Sequence, residues 1–282
     1  MKISIITPTW NRAAQLRSAL ESVACQEAPP CEHIIIDNLS MDGTQELVLE
    51  YAKTARYPVR CIREADGGIY QAMNKGIAFA TGEALYFLND DDMLYDAQVL
   101  SMMSRCLKSM DADIIFGDVV LLDEGQKGGR YYRRHRQVNC LTLVERAITQ
   151  QAILYRREAF DRCGGFNQEL RIVADHDWLL RAFLHHDIRG IYLKRPVAVF
   201  RIGGVSNDGE SAQAHRRERK LVTERYYSSR EIKAARLYRN LLRKVPFGAT
   251  LLNCFVPLRL KIWTLREKNG TFHQDPLAWI DL

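Results

Sequence analysis

The chain has 282 residues, of which 47% are hydrophobic and 26% charged. That is the balance of an ordinary soluble globular protein able to bury a sizeable core in one large domain, or in a domain plus an extension. No stretch approaches the roughly 18 to 20 uninterrupted apolar residues of a membrane-crossing helix, and the formal charge of +6 is concentrated at the C-terminus, where residues 201–282 hold 16 Lys/Arg against 8 Asp/Glu. Seven cysteines (25, 31, 61, 106, 140, 163 and 254) form no CxxC pair and no zinc spacing, and the N-terminal MKISIITPTW lacks the apolar core of a signal peptide, so reduced thiols in a cytoplasmic protein are expected.

Short apolar runs rich in β-branched residues recur along the first 120 positions: ISIIT (3–7), HIIID (33–37), VRCI (59–62), ALYFL (84–88) and DIIFG (113–117). Each precedes polar turn chemistry and reads as a buried strand. Helical spacing fills the intervals at 13–25, 45–55, 69–80 and 97–109, the third placing Ile69, Met73 and Ile77 on one face. Alternating strands and helices specify an α/β domain with a mostly parallel central sheet and a site at the carboxyl ends of its strands. Beyond residue 120, the polar and Gly-rich 123–136 reads as a mobile surface loop. A helix over 176–186 and a strand over 191–202 follow, then one or two basic helices over 212–244.

Candidate chemistry sits at the predicted strand ends. "TPTWNR" (7–12) follows the first strand and "IDNLSMDGT" (36–44) the second. No G-x-G-x-x-G turn is present, which argues against a dinucleotide site. Asp37 and Asn38 have the groups to bind the amide edge of a nucleobase or a ribose hydroxyl, while Asp42 reads as a helix cap. In "EADGGIYQAMNKGIAFATGE" (64–83), Gly67-Gly68 permits close approach of a ligand to the backbone, and Tyr70, Asn74 and Lys75 have the chemistry to line a nucleotide pocket; the same segment also reads as a plain turn and helix.

"YFLNDDD" (86–92) closes the fourth strand with Asp90, Asp91 and Asp92. Three adjacent carboxylates suit Mg²⁺ or Mn²⁺ held together with phosphate oxygens, and they suit equally a solvated turn or cap. "IVADHDWLLRAF" (172–183) places Trp178, Leu179, Ala182 and Phe183 on a buried helical face and Asp175 at the first turn, where it serves either as a general base or as an N-cap; Asp177 and Arg181 have i,i+4 spacing. The histidines show no HExxH spacing. "RIGGVSND" (201–208) is a Gly-rich loop of the kind that can cradle phosphate.

In their order, "IITPTWNR", "IIIDNLSMDGT", "EADGGIYQAMNKGIAFATGE", "YFLNDDD", "QQAILYRREAFDRCGGF", "IVADHDWLLRAF" and "FRIGGVSN" resemble a family 2 glycosyltransferase of the GT-A fold, over about residues 1–207. The similarity is strongest to the bacterial branch that assembles polysaccharide repeat units, such as O-antigen. It implies a single Rossmann-like nucleotide-sugar-binding domain (1–207) with a basic, mainly helical C-terminal extension (208–282). It further implies an inverting, metal-dependent hexosyl- or N-acetylhexosaminyltransferase. The donor would be a nucleotide-sugar, often UDP-linked, and the acceptor a glycan or lipid-linked hydroxyl.

By the same resemblance Thr7, Pro8, Asp37, Asn38, Asp66, Tyr70, Asn74, Asp90 and Asp91 surround the donor, Asp91 and Asp92 hold the divalent cation, and Asp175 inherits the base role. Two departures stand out. Asp37-Asn38-Leu39-Ser40 replaces the more frequent Asp-Asp-Gly-Ser, and Asn89 stands where Asp is frequent.

For the tail, apolar residues interleaved with Lys/Arg over 212–268, including "FVPLRLKIW" (255–263), suggest peripheral contact with an anionic membrane at the inner face of the cytoplasmic membrane. A solvated face packed on the domain, or on a second copy in a homo-oligomer, reads the same pattern. No signature of specific nucleic-acid binding is present. The competing functional reading is a nucleotide- or nucleic-acid-binding module without transferase activity.

Overall fold

The computed structural model describes residues 1–123, 129–133, 138, 140–144, 146–202 and 209–244. The first half repeats strand and helix: β1 (Ile3–Thr9), α1 (Ala13–Ala24), β2 (Glu32–Asp37), α2 (Thr44–Thr54), β3 (Val59–Arg63), α3 (Ile69–Phe79) and β4 (Ala84–Phe87). All four strands are parallel, with Ile6 opposite Ile34 and Phe87, and Ile36 opposite Ile62. Their carboxyl ends therefore share one edge.

The second half is mixed. It comprises β5 (Met93–Leu94), α4 (Val99–Ser109), β6 (Ile114–Asp123), β7 (Gly129–Arg133), α5 (Cys140–Leu143), a 3-10 turn (Gln150–Ala152), β8 (Ile153–Arg156), α6 (Arg157–Cys163), α7 (Ala174–His185) and β9 (Gly190–Arg201), followed by α8 (Gly209–Tyr226) and α9 (Ser229–Lys244). The strands join one sheet in the order β3-β2-β1-β4-β8-β6-β9-β5, with β7 on β6. β8 runs antiparallel to both β4 and β6, while β6 and β9 pair in parallel, so the sheet is mixed beyond the four parallel strands that the sequence pattern revealed. One expectation fails: within the predicted loop 123–136, Gly129–Arg133 is a strand paired antiparallel with Val119–Asp123. Alternating apolar residues are missing there, so the pairing leaves no periodic signal.

Strand alternation divides the interior into two layers. Ile6, Ile34, Ile36, Leu85 and Phe87 face one cluster that includes Tyr70, Met73, Trp178 and Phe183. Ile5, Ile35 and Tyr86 face the other, with Leu16, Val23, Val48 and Met103. Helices on both faces account for the nearly continuous apolar character of β1, β2 and β4. On α3 the buried face is Tyr70, Ala72, Met73 and Gly76, whereas Ile69 is 38% exposed. Gly76 explains the rotation, since a Cβ there would lie 2.3 Å from Ile6 Cγ2, so only glycine lets this face of α3 rest on β1.

The C-terminal helices are not detached from this core: Val222 and Tyr227, of α8 and the turn after it, and Ala235 of α9 are buried in the first cluster. Residues 245–282, including "FVPLRLKIW", lie outside the described residues, as do 203–208 of the Gly-rich loop. Among the described residues no helix is long and apolar enough to cross a membrane, and Cys25, Cys31, Cys61, Cys106 and Cys163 are free thiols.

A buried polar chain lies beneath the parallel strands. Thr7 Oγ1 is 2.9 Å from His33 Nε2, His33 Nδ1 is 2.9 Å from the Tyr51 hydroxyl, and that hydroxyl is 2.6 Å from Tyr57. Burial pushes His33 down to about 3, so it stays neutral in the fold. The unfolded chain takes up a proton below about pH 6.5, and stability is lost as pH falls from there towards 3. The stability-versus-pH slope of wild type should therefore exceed that of His33→Gln by about 1.4 kcal/mol per pH unit between pH 6 and 4.5, as read by urea denaturation.

Candidate active site

Because β1 to β4 are parallel, the loops Trp10–Arg12, Asn38–Asp42, Glu64–Gly68 and Asn89–Asp92 converge on one rim. Short hydrogen bonds stitch them together. Asn38 N donates to Thr9 O at 3.0 Å, Asn11 N to Ser40 Oγ at 2.8 Å and Met41 N to Asn11 Oδ1 at 2.7 Å. Asn11 and Leu39 take left-handed backbone angles (φ 51° and 54°), the tight geometry that folds these loops onto each other. Asp42 accepts from Ala13 N at 2.9 Å and from the Thr44 hydroxyl at 2.6 Å, so it caps the starts of both α1 and α2.

Asp37 closes β2 with a fully buried carboxylate, 3.2 Å from Arg63 Nε and 3.0 Å from Ser40 N. Asn38 Oδ1 accepts from Asp66 N at 2.9 Å, and Asp66 Oδ1 accepts from Gly68 N at 3.0 Å. Partial burial raises the Asp66 carboxyl above its usual range. Asp37, Asn38 and Asp66 thus form one connected acidic edge leading into α3, with Pro8 buried on the neighbouring strand.

The aspartates after β4 sit beside that edge. Arg12 Nη1 is 2.7 Å from Asp91 Oδ2 and 3.8 Å from Asp90 Oδ1, so one guanidinium faces two carboxylates. Burial, reinforced by the Asp91 charge, pushes Asp90 up to about 7. Asn89 Oδ1 is buried without a hydrogen-bond partner among the described residues. Two carboxylates and an unspent amide oxygen are hard donors, and this set fits a divalent cation that completes its shell with water and phosphate oxygens. Among the described residues no three His, Cys, Asp or Glu side chains form a group that could hold a metal ion by themselves.

Asp92 does not belong to that set. Its carboxylate is fully buried, accepts from Gln151 Nε2 at 2.5 Å and from Arg201 N at 3.3 Å, and is raised well above the usual range by burial. The expected Asp91/Asp92 pair is therefore separated by its partners: Asp91 shares Arg12 with Asp90, whereas Asp92 ties the turn after β4 to the 3-10 turn and β9.

Asp175 lies in the first turn of α7 and is only partly exposed. The Tyr70 hydroxyl stands 3.1 Å from its Oδ1 and 2.8 Å from Ile172 O. Burial raises the Asp175 carboxyl, making its anion a stronger base than a solvated aspartate, while its contacts with His176 N and Tyr70 oppose the shift. The adjoining His176 is 1% exposed, neither ring nitrogen has a partner among the described residues, and burial pushes it down to about 3. Asp177 does not pair with Arg181. It is buried, 3.2 Å from Arg225 Nη1 and 3.2 Å from the Tyr226 hydroxyl, whereas Arg181 reaches Gly165 O at 2.6 Å.

Two further expectations change. The Thr7 hydroxyl is turned into the interior towards His33, so only its backbone is near the rim. Asn74 spends both ends of its carboxamide on one residue, donating to Phe166 O and accepting from Phe166 N, each at 2.8 Å. It fixes the loop after α6, where a Cβ on Gly165 would come within 2.6 Å of it. Three participants carried no assigned role in the sequence. Arg12 and Gln151 lay inside quoted motifs, but their targets depend on strand order. Arg63 lay at the end of a strand-like run.

The sequence model described as "Glycosyl transferase family 2" matches residues 4–166, more than half of the chain. The chain belongs to glycosyl transferase family 2. A Mycobacterium bovis (strain BCG / Pasteur 1173P2) "PGL/p-HBAD biosynthesis glycosyltransferase" is 34% identical over 206 residues, covering 72% of this chain and 78% of that protein. Among solved structures, Staphylococcus aureus TarS 1–349 in complex with UDP-GlcNAc superposes with a TM-score of 0.62 at 19% identity, covering 92% of this chain and 77% of that one. The mannosyltransferase PcManGT from Pyrobaculum calidifontis, in complex with GDP-Man and Mn²⁺, gives 0.61 at 18% identity over 95% of this chain and 79% of that one. The GT-A fold of this glycosyltransferase is shown by these likenesses.

The Asn74 geometry makes a separable prediction. Asn74→Ala should lower the unfolding free energy by about 1–3 kcal/mol, since it strands two buried backbone groups of Phe166. Calorimetric titration should find nucleotide-sugar affinity unchanged; a tenfold loss of affinity with stability intact would restore Asn74 to the donor site.

Proposed function

We propose that this glycosyltransferase inverts configuration while moving a hexosyl or N-acetylhexosaminyl group from a nucleotide-sugar, UDP-linked, to a hydroxyl of an oligosaccharide or lipid-linked acceptor. The process served is assembly of a bacterial surface polysaccharide or glycolipid, and the catalytic domain is residues 1–207. The observation that carries this reading is the continuity of the rim: acids at the ends of β2 and β4 lead through Asp66 and α3 to Tyr70, whose hydroxyl meets Asp175. The UDP-GlcNAc complex of TarS and the PGL/p-HBAD name of the mycobacterial relative support the donor class and the kind of pathway. Family membership weighs against a binding module without activity.

In this mechanism the nucleoside lies along Pro8, Asp37, Asn38 and Asp66, and the diphosphate approaches Asp90 and Asp91 beside Arg12. A divalent cation bound there would supply electrostatic stabilisation of the leaving diphosphate. Asp175 accepts the proton of the acceptor hydroxyl as its oxygen bonds to the anomeric carbon. The bond from that carbon to the diphosphate oxygen breaks, and its electron pair leaves with the nucleoside diphosphate. Attack from the opposite face inverts the centre. Tyr70 holds Asp175 in place, and the raised carboxyl keeps the proton once transferred.

The tail is proposed to bring this site to the membrane. The exposed face of α8 and α9 carries Arg216, Arg217, Lys220, Arg230, Lys233 and Arg236 against Glu224, together with Leu221 at 62% and Leu237 at 51% exposure. Cations flanking exposed leucines suit an anionic lipid surface at the cytoplasmic side.

Three outcomes test these assignments. Asp175→Asn should lose about 10²- to 10⁴-fold in kcat while retaining the thermal shift produced by donor and Mn²⁺; near wild-type turnover would eliminate the base. With donor and Mn²⁺ saturating, the acid limb of the wild-type kcat profile should lie above the usual aspartate range and disappear in the variant. The double substitution Leu221→Asp/Leu237→Asp should cut co-sedimentation with phosphatidylglycerol vesicles roughly tenfold, and undiminished binding would remove these helices from the membrane contact.

A further inference from the structure

The start of α7 has an unusual cap. Its N-cap residue is Val173, which offers no side-chain acceptor, although the first amides of a helix need partners. The backbone leading into the helix, up to the amide of the N-cap itself, is held from α8. Glu218 Oε1 accepts from Arg171 N at 2.9 Å, and Oε2 accepts from Ile172 N at 2.9 Å and Val173 N at 3.3 Å. A carboxylate here also opposes the positive end of the helix dipole.

The peptide groups flanking Ile172 are therefore held from two sides. Its N–H is bound by Glu218 from α8, and its carbonyl by the Tyr70 hydroxyl from α3. The same hydroxyl touches Asp175, three residues further on. Bonds in opposed directions from two separate elements define the position of the segment that delivers Asp175, whose own side chain is touched by the Tyr70 hydroxyl and by the His176 amide of the same turn. A second tie between the helices lies one turn deeper, where Arg225 and Tyr226 reach Asp177. That tie joins α8 to α7 without touching the Arg171–Val173 backbone.

We infer that Glu218 is a positioning residue for the transfer reaction: by capping the Arg171–Val173 amides from the C-terminal helix α8, it holds Asp175 at the reaction centre. The inference rests on the assignment of Asp175 as the base. It makes the basic C-terminal segment part of the catalytic apparatus as well as a surface for partners. Displacement of a catalytic group by about 1 Å can cost on the order of 10²-fold in rate, whereas donor contacts along β1, β2 and β4 lie on other elements.

Steady-state kinetics of full-length Glu218→Ala, Glu218→Gln, Arg225→Ala and Asp175→Asn, each with its melting temperature, test it. Glu218→Ala should lose about 10- to 100-fold in kcat with donor KM within about twofold of wild type. Glu218→Gln, which keeps the shape and one acceptor, should fall between Ala and wild type. Arg225→Ala should melt lower yet turn over within about twofold of wild type. Wild-type kcat in Glu218→Ala, an equal loss in Arg225→Ala, or failure of Glu218→Gln to fold would each overturn the inference, the last because Glu218 would then be a determinant of folding. Full activity in Asp175→Asn would instead remove the base assignment, separating the two failures.

Discussion

A strand buried on both faces has no room along its length for an unpaired charge, and that constraint places the polar residues of this glycosyltransferase. β1, β2 and β4 are buried throughout, and the one histidine they enclose, His33, is kept neutral. Carboxylates stand at the strand ends: Glu32 opens β2 with Ser4 and Thr81 donating to it, and Asp37, Asp90 and Asp91 accumulate at the carboxyl ends with Arg63 and Arg12 as their counter-charges. Because the strands are parallel, these residues meet at one rim although they lie up to 54 positions apart in sequence. A single guanidinium faces both Asp90 and Asp91, and a divalent cation brought with a diphosphate would offset the remaining negative charge.

The same constraint explains which features were legible in the sequence. Apolar runs of β-branched residues marked β1, β2 and β4, and the turn chemistry after them marked the rim, because burial on both faces writes itself into consecutive residues. Trp178, Leu179, Ala182 and Phe183 marked α7 for the same reason. Features that depend on which elements meet were not legible. Nothing local announces that Asn74 points at Phe166 or that Thr7 faces His33, and Asp92 is indistinguishable from Asp91 until Gln151 is brought against it by the antiparallel β8 side of the sheet. The rotation of α3, with Tyr70 inside and Ile69 outside, required the close approach of Gly76 to Ile6.

The C-terminal helices show a related effect. Their composition announces a basic, solvated surface, and most of their exposed side chains conform to it. The few residues that face inward, Val222, Tyr227 and Glu218, join the helices to the core and to the start of α7. A segment that reads as an appendage in composition is thus anchored beside the carboxylate assigned as the base.

We propose that a divalent cation shared with the donor's diphosphate completes the charge balance at Asp90 and Asp91. Electron paramagnetic resonance of Mn²⁺ titrated into wild type and Asp91→Asn, with and without UDP, tests it most directly. The account predicts that UDP and wild-type protein together immobilise one Mn²⁺, and that Asp91→Asn loses this signal. An unchanged Mn²⁺–UDP signal in Asp91→Asn would contradict it.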